Sequence, residues 1–208
     1  IYYYEKKYSL AIVQYADALN RFPRYHDARN ALGMVYGDLG QYNRAIDDYK
    51  SVISQDGNYY LAWMNWGVEL IKLGQYKEAI TKIDKAIELN PNYARSYDNL
   101  GVAYDYLGDF TKAVELYNKA LVLDPREREA YQNLGSLYYS RNLLNLAEAA
   151  FIKGIAVAPR FVGLHYNLAV VYQQQHKYGL AAQQYKTVLQ ITPDNSEARA
   201  QLTAIQKQ

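Results

Sequence analysis

Between Ala62 and Leu73, large or small apolar residues recur at Trp63, Trp66, Gly67 and Leu70, the i, i+3, i+4, i+7 spacing of one helix face. Polar residues and Gly74 interrupt the pattern. It then resumes with Ala79, Ile83, Ala86 and Ile87. The spacing predicts two amphipathic helices joined at Gly74, because glycine tolerates the left-handed backbone that ends a helix. Asn90-Pro91 closes the second helix, since proline has no N–H to donate and clashes with the turn before it.

The same pair of helices is written again and again. Ala11, Ala45, Ala79, Ala113, Ala147 and Ala181 stand 34 residues apart, as do Gly33, Gly67, Gly101, Gly135 and Ala169. Pro91, Pro125, Pro159 and Pro193 keep the period of 34, and Pro23 stands two periods before Pro91, with Gly57 between them. Turn glycines are expected at Gly40, Gly74 and Gly108, with Asn142 and His176 in the same place. A register kept without insertion marks a repeat array, and each unit too short to cover its own apolar side must stack on its neighbours. The fold class is all-α. The copies run 1–25 (partial), 26–59, 60–93, 94–127, 128–161 and 162–195, followed by a helix over 196–208. That last helix reads as a cap, with Leu202 and Ile205 turned inward. Ile1-Tyr2-Tyr3-Tyr4 lies inside a helical pattern without a capping residue, as if it continued a helix begun upstream.

The order Tyr97-x-x-Leu100-Gly101-x-x-Tyr104, then Ala113-x-x-x-Tyr117, then Pro125 resembles the tetratricopeptide repeat, whose 34-residue period and residue pattern are well defined. The resemblance covers the whole chain as a single array. It implies a right-handed superhelical solenoid of antiparallel helix pairs, with the first helix of each pair lining a concave face. Departures are local: Arg29 and His165 replace the usual aromatic, Leu70 replaces tyrosine and Gly57 replaces proline. The last of these predicts a softer joint at Gly57.

Composition narrows the readings of function. A formal charge of +2 over 208 residues does not favour nucleic acid or an anionic membrane as partner. No apolar run reaches the length of a membrane span. Without cysteine there is no disulfide, thiol or thiolate–metal chemistry, which suits both a reducing cytosol and a bacterial periplasm. The 24 tyrosines are partly explained by the repeat. Tyr36, Tyr104, Tyr138 and Tyr172 share one inward place, and Tyr15, Tyr49, Tyr117 and Tyr185 another.

No motif for enzymatic chemistry emerges. His165 takes a core aromatic place, and His26 and His176 read as solvent-facing. Their spacing is not that of a metal-ligand pair, and no phosphate loop or nucleophile elbow is present. Asp47-Asp48 and Glu127/Glu129 read as solvated surface. No cofactor, metal or catalytic residue is expected.

The family resemblance points instead to the concave face. Its lining is expected at the second, fifth, sixth, ninth, twelfth and thirteenth residues of each copy. The sixth gives Asn65, Asn99, Asn133 and Asn167, whose amides carry donors and acceptors suited to a peptide backbone. The row resembles the asparagine ladder of O-linked N-acetylglucosamine transferases, and it lapses at Ala31. Equally, these amides could serve only the protein's own neighbouring backbone. Leu61, Met64, Val68 and Ile71 supply apolar surface; Tyr106, Tyr139 and Tyr166, with Tyr3 and Tyr4, supply aromatic anchors. Asp27, Asp38, Asp98, Asp105 and Glu129 outweigh Lys72 and Arg95. At the fifth place stand Asn30, Met64, Asp98, Gln132 and Tyr166, so the lysines that chaperone-binding relatives use to clamp an acidic tail are missing.

The expected role is a protein-interaction module or scaffold gripping an extended or helical segment, neutral to basic, with apolar anchors. Nucleic acid is not expected, because the groove offers too few cations. Two other readings are a self-assembling scaffold, hence a homo-oligomer, and the substrate-recruiting domain of a larger enzyme such as a glycosyltransferase.

Overall fold

A computed structural model describes residues 2, 3 and 5–206. Among these residues the chain forms twelve α-helices and no strand. It divides into two compact units, Ile1–Asp109 and Phe110–Gln208.

The first unit contains α1 (Tyr8–Arg21), α2 (His26–Asp38), α3 (Tyr42–Gln55), α4 (Tyr60–Lys72), α5 (Tyr76–Leu89) and α6 (Ala94–Tyr106). The second contains α7 (Phe110–Leu123), α8 (Arg128–Ser140), α9 (Leu144–Val157), α10 (Val162–Gln174), α11 (Tyr178–Ile191) and α12 (Ser196–Ile205). Within the units, α2/α3, α4/α5, α8/α9 and α10/α11 are packed antiparallel pairs. The small residue of each first helix explains how closely they approach. A Cβ on Gly67 would lie 2.4 Å from Ile83 Cγ1, and one on Gly135 2.5 Å from Phe151 Cε1. Ala45, Ala79, Ala113, Ala147 and Ala181 are fully buried, and Tyr49, Tyr117 and Tyr185 form much of the core beside them.

The turns follow the sequence. Gly40, Gly74 and Gly108 have φ of 73°, 75° and 81°, and Asn142 and His176 adopt 57° and 59° in the same place. Lys6 joins them at 56°. In the register of 34 residues Lys6 stands where Gly40 stands one copy later. Tyr2 and Tyr3 lie in a turn, with Lys7 N–H bonded to Tyr2 O, as Gln41 N–H is to Tyr36 O. The first described helix begins at Tyr8, and the helical reading of Ile1–Tyr4 falls partly on Ile1 and Tyr4, which lie outside the described residues. At the other end Asn195 Oδ1 accepts from Ala198 N–H and caps α12. Ile205 is buried and Leu202 half-buried, whereas Lys207 and Gln208 lie outside the described residues.

One contact recurs between copies. Trp63 Nε1–H donates to Gly57 O at 2.9 Å, Tyr97 O–H to Pro91 O at 3.0 Å, and Arg199 to Pro193 O at 2.6 Å. His165 Nε2 makes the same bond to Pro159 O at 2.9 Å, while its Nδ1 faces the Gln184 amide at 2.7 Å. The fourth residue of each of these copies thus ties down the carbonyl six residues earlier. Gly57, expected to loosen its joint, is held by the same bond as the prolines.

Candidate functional site

In the first unit the sixth-place amides are half-buried at Asn65 and Asn99. They are not equivalent. Asn65 Nδ2 donates to Oδ1 of Asn30 at 3.0 Å, linking α4 to α2. Asn99 makes no side-chain hydrogen bond within the described residues. Leu61, Val68 and Ile71 are half-buried along α4, and Val102 continues the ninth-place apolar line on α6. Tyr106 is 64% exposed, and its ring stacks on Tyr76 with centroids 4.9 Å apart and planes 2° from parallel. It is a braced aromatic, not a loose one. Tyr3 is half-buried, with its ring centroid 6.4 Å from that of Tyr8.

Two expected lining residues are not on the surface. Met64 and Asp98 are each 4% exposed, and Asn30 at the same place is 6% exposed. The Asn65–Asn30 bond gives the reason: the fifth residue points along the stack at the next first helix instead of into open space. The second unit shows the same direction. A Cβ on Gly163 would lie 2.6 Å from Oε1 of Gln132, so the fifth residue of one copy reaches the second of the next. Gln132 and Tyr166 keep partial exposure, and Tyr166 packs edge-on against Tyr185 with centroids 5.6 Å apart.

Charge is also more internal than the sequence suggested. Glu127 is buried, whereas Glu129 is half-buried and accepts a hydrogen bond from Arg128. Asp48 is half-buried, with Oδ1 3.3 Å from an Arg29 nitrogen; burial raises its pKa, and the guanidinium only partly opposes that. His26 is half-buried with Nδ1 3.8 Å from Asp56, whereas His176 is exposed as expected. Lys72 is tied to Glu69 at 3.1 Å. Glu69 occupies a core place, 3% exposed, beside Gly37, where a Cβ would collide with its carboxylate. Burial raises the Glu69 pKa, and Lys72 opposes the rise without cancelling it. On the acidic side of the face Asp38 is exposed and Asp105 half-buried, while Asp27 accepts a hydrogen bond from the Tyr59 hydroxyl.

In the second unit Asn133 and Asn167 are half-buried, and Tyr139 is 36% exposed. Asn167 Nδ2 reaches Ser136 Oγ at 3.4 Å, a long bond. Asn167, Tyr139, Ser136, Val170 and Phe151 surround a cavity of about 90 Å³. Ser136 and Val170 are ninth-place residues. Phe151 comes from a second helix, and only its packing against Gly135 brings it here.

Among the described residues no group of three or more His, Cys, Asp or Glu side chains could hold a metal ion. No described helix is long and apolar enough to cross a membrane.

Profiles for the tetratricopeptide repeat match residues 26–59, 59–126, 99–158 and 162–195. The chain belongs to the tetratricopeptide repeat family. No curated protein matches it in sequence. Among solved structures it is similar to a chain of the Cut9–Hcn1 hetero-tetramer of APC/C, at 20% identity and TM-score 0.83 over 98% of its own length. It spans 41% of that chain. It is also similar to a thermophilic tetratricopeptide protein of Thermus thermophilus, with TM-score 0.76, 20% identity, and coverage of 88% of this chain and 100% of that one. A third, from Parabacteroides merdae, gives TM-score 0.79 at 18% identity over 99% of this chain and 80% of that one. What these proteins share with the chain at such identities is the fold.

Proposed function

We propose that this tetratricopeptide chain is a protein-binding module whose first helices hold an extended segment of a partner. The observation that carries the reading is Asn99, a half-buried amide of the asparagine row that makes no side-chain hydrogen bond within the described residues. Asn99 has both its donors and its acceptor to offer, so it can take the C=O and N–H of a foreign backbone. Val68 and Val102 beside it give apolar surface. The partner is neutral to basic: Lys72 is already matched by Glu69, and Asp38 is exposed. That a protein of the same fold was solved with a partner, in the Cut9–Hcn1 tetramer, agrees with this role.

The test uses peptides selected from a random display library on the intact chain, measured by calorimetry. Asn99→Ala should weaken binding of peptides seated on the first unit about tenfold while the melting temperature holds. Selected peptides indifferent to every change on the first-helix face would overturn the reading.

Self-association is favoured by a different observation. A cavity of about 500 Å³ lies between α1 and α2, lined in part by Tyr15, Ala18, Ala28 and Ala31. Tyr15 is only half-buried there, where Tyr49, Tyr117 and Tyr185 are closed over. Concentration-dependent oligomers in light scattering, lost in Tyr15→Glu, would support that reading; a monomer at all concentrations would remove it.

A further inference from the structure

The cavity between α8 and α10 says what kind of side chain a partner brings. Its base is Phe151, 1% exposed, whose ring lies where a Cβ on residue 135 would intrude. Val170 and Tyr139 form walls. Ser136 is exposed at the rim, and Asn167 Oδ1 accepts no hydrogen bond within the described residues. None of the five lining residues carries a charge.

Size and polarity select the guest. A dry cavity of about 150 Å³ suffices for benzene. At about 90 Å³ this one is too small for a phenyl ring and holds roughly three water-sized volumes, the bulk of an isopropyl or isobutyl group. A charged side chain would lose its hydration against a ring and two methyls with no counter-charge in reach. An alanine methyl would leave most of the space without contacts. The rim supplies one free acceptor, Asn167 Oδ1, and one hydroxyl that can donate, Ser136 Oγ.

Resting on the peptide-binding reading above, we propose that this cavity is an anchor pocket for one branched aliphatic side chain, valine or leucine, of an extended partner segment. The N–H beside that residue donates to Asn167 Oδ1, and a neighbouring C=O accepts from Ser136 Oγ.

The test takes library-selected peptides that protect this face of the intact chain and measures them by calorimetry, with thermal melting of each variant as a fold check. The expected result is a shared Val or Leu at one position, weakened about tenfold by exchange to either Ala or Phe. Ser136→Leu, at an exposed site, should plug the mouth and make the Leu and Ala peptides bind alike. Val170→Ala should widen the pocket and reduce the penalty for Phe. If peptides bind the first-helix face but share an aromatic or charged anchor, or ignore both variants, the pocket is refuted and the binding module stands. If no peptide binds, both fall.

Discussion

The side-chain amide of Asn65 donates to Oδ1 of Asn30 at 3.0 Å and joins two successive first helices. One amide in the asparagine row is therefore committed to holding copies together, whereas Asn99, one copy later, is not. Asn65→Ala should leave the buried Asn30 acceptor unmatched and cost about 1–3 kcal/mol in urea denaturation. Asn99→Ala removes a half-buried amide without a side-chain partner and should change stability by less than about 0.5 kcal/mol. Equal costs at the two sites would mean the row is structural throughout.

Glu69 gives the chain a pH dependence. Its carboxyl is buried and its pKa raised, so the folded state holds the proton more tightly than the unfolded state does. Stability from this group is therefore greatest below the ordinary carboxylate value and falls as pH rises through the folded pKa. Asp48 is raised in the same direction, so the informative comparison is with a variant. Glu69→Gln should exceed the parent in urea midpoint at pH 7.5, and the gap should shrink as pH falls to 5. A gap that widens on acidification would show the Lys72 pair to outweigh burial.

His165 forms the copy-to-copy bond that Tyr97 forms in its own copy. His165→Tyr should keep a donor for Pro159 O, whereas His165→Phe leaves that carbonyl unanswered. The Phe variant should be the less stable by about 1 kcal/mol, read from thermal melts.

The turn at His176 holds a side chain in left-handed backbone, φ 59°. His176→Gly removes the clash of Cβ with the following carbonyl and should stabilise by roughly 0.5–1 kcal/mol, less whatever the 3.0 Å contact between His176 Nδ1 and Tyr178 Oη contributes. A loss of stability would assign that contact the larger share.

Ala113 is fully buried on α7. Ala113→Leu should overpack the core around α7 and cost about 1–3 kcal/mol, with hydrogen exchange rising first in α7 and α8. Uniform exchange along the chain would contradict the neighbour-only coupling of a repeat array.

The helices and turns were legible because a register of 34 residues repeats each decision, so Gly40, Gly74 and Gly108 vouch for one another. The inner face was less so. The family resemblance puts Met64 and Asp98 on the lining, but both are buried, and Asn30 at the same place is bonded from the next first helix, which no single copy of the sequence shows. Glu127 reads as surface by chemistry and is buried by position. The pocket over Phe151 draws on three separate segments, and no local pattern announces such a convergence. At the start of the chain Lys6 takes the positive φ of the turn glycines without being one, which residue preference alone does not announce.

Trp63, Tyr97, His165 and Arg199 share little beyond an N–H or O–H at a similar distance from the backbone, yet each fastens the seam behind it. The fastening is thus indifferent to side-chain shape and sensitive only to reach. Such tolerance makes the seams natural places to cut and rejoin: whole hairpins could be removed, duplicated or exchanged there, provided each new junction brings a donor to its carbonyl.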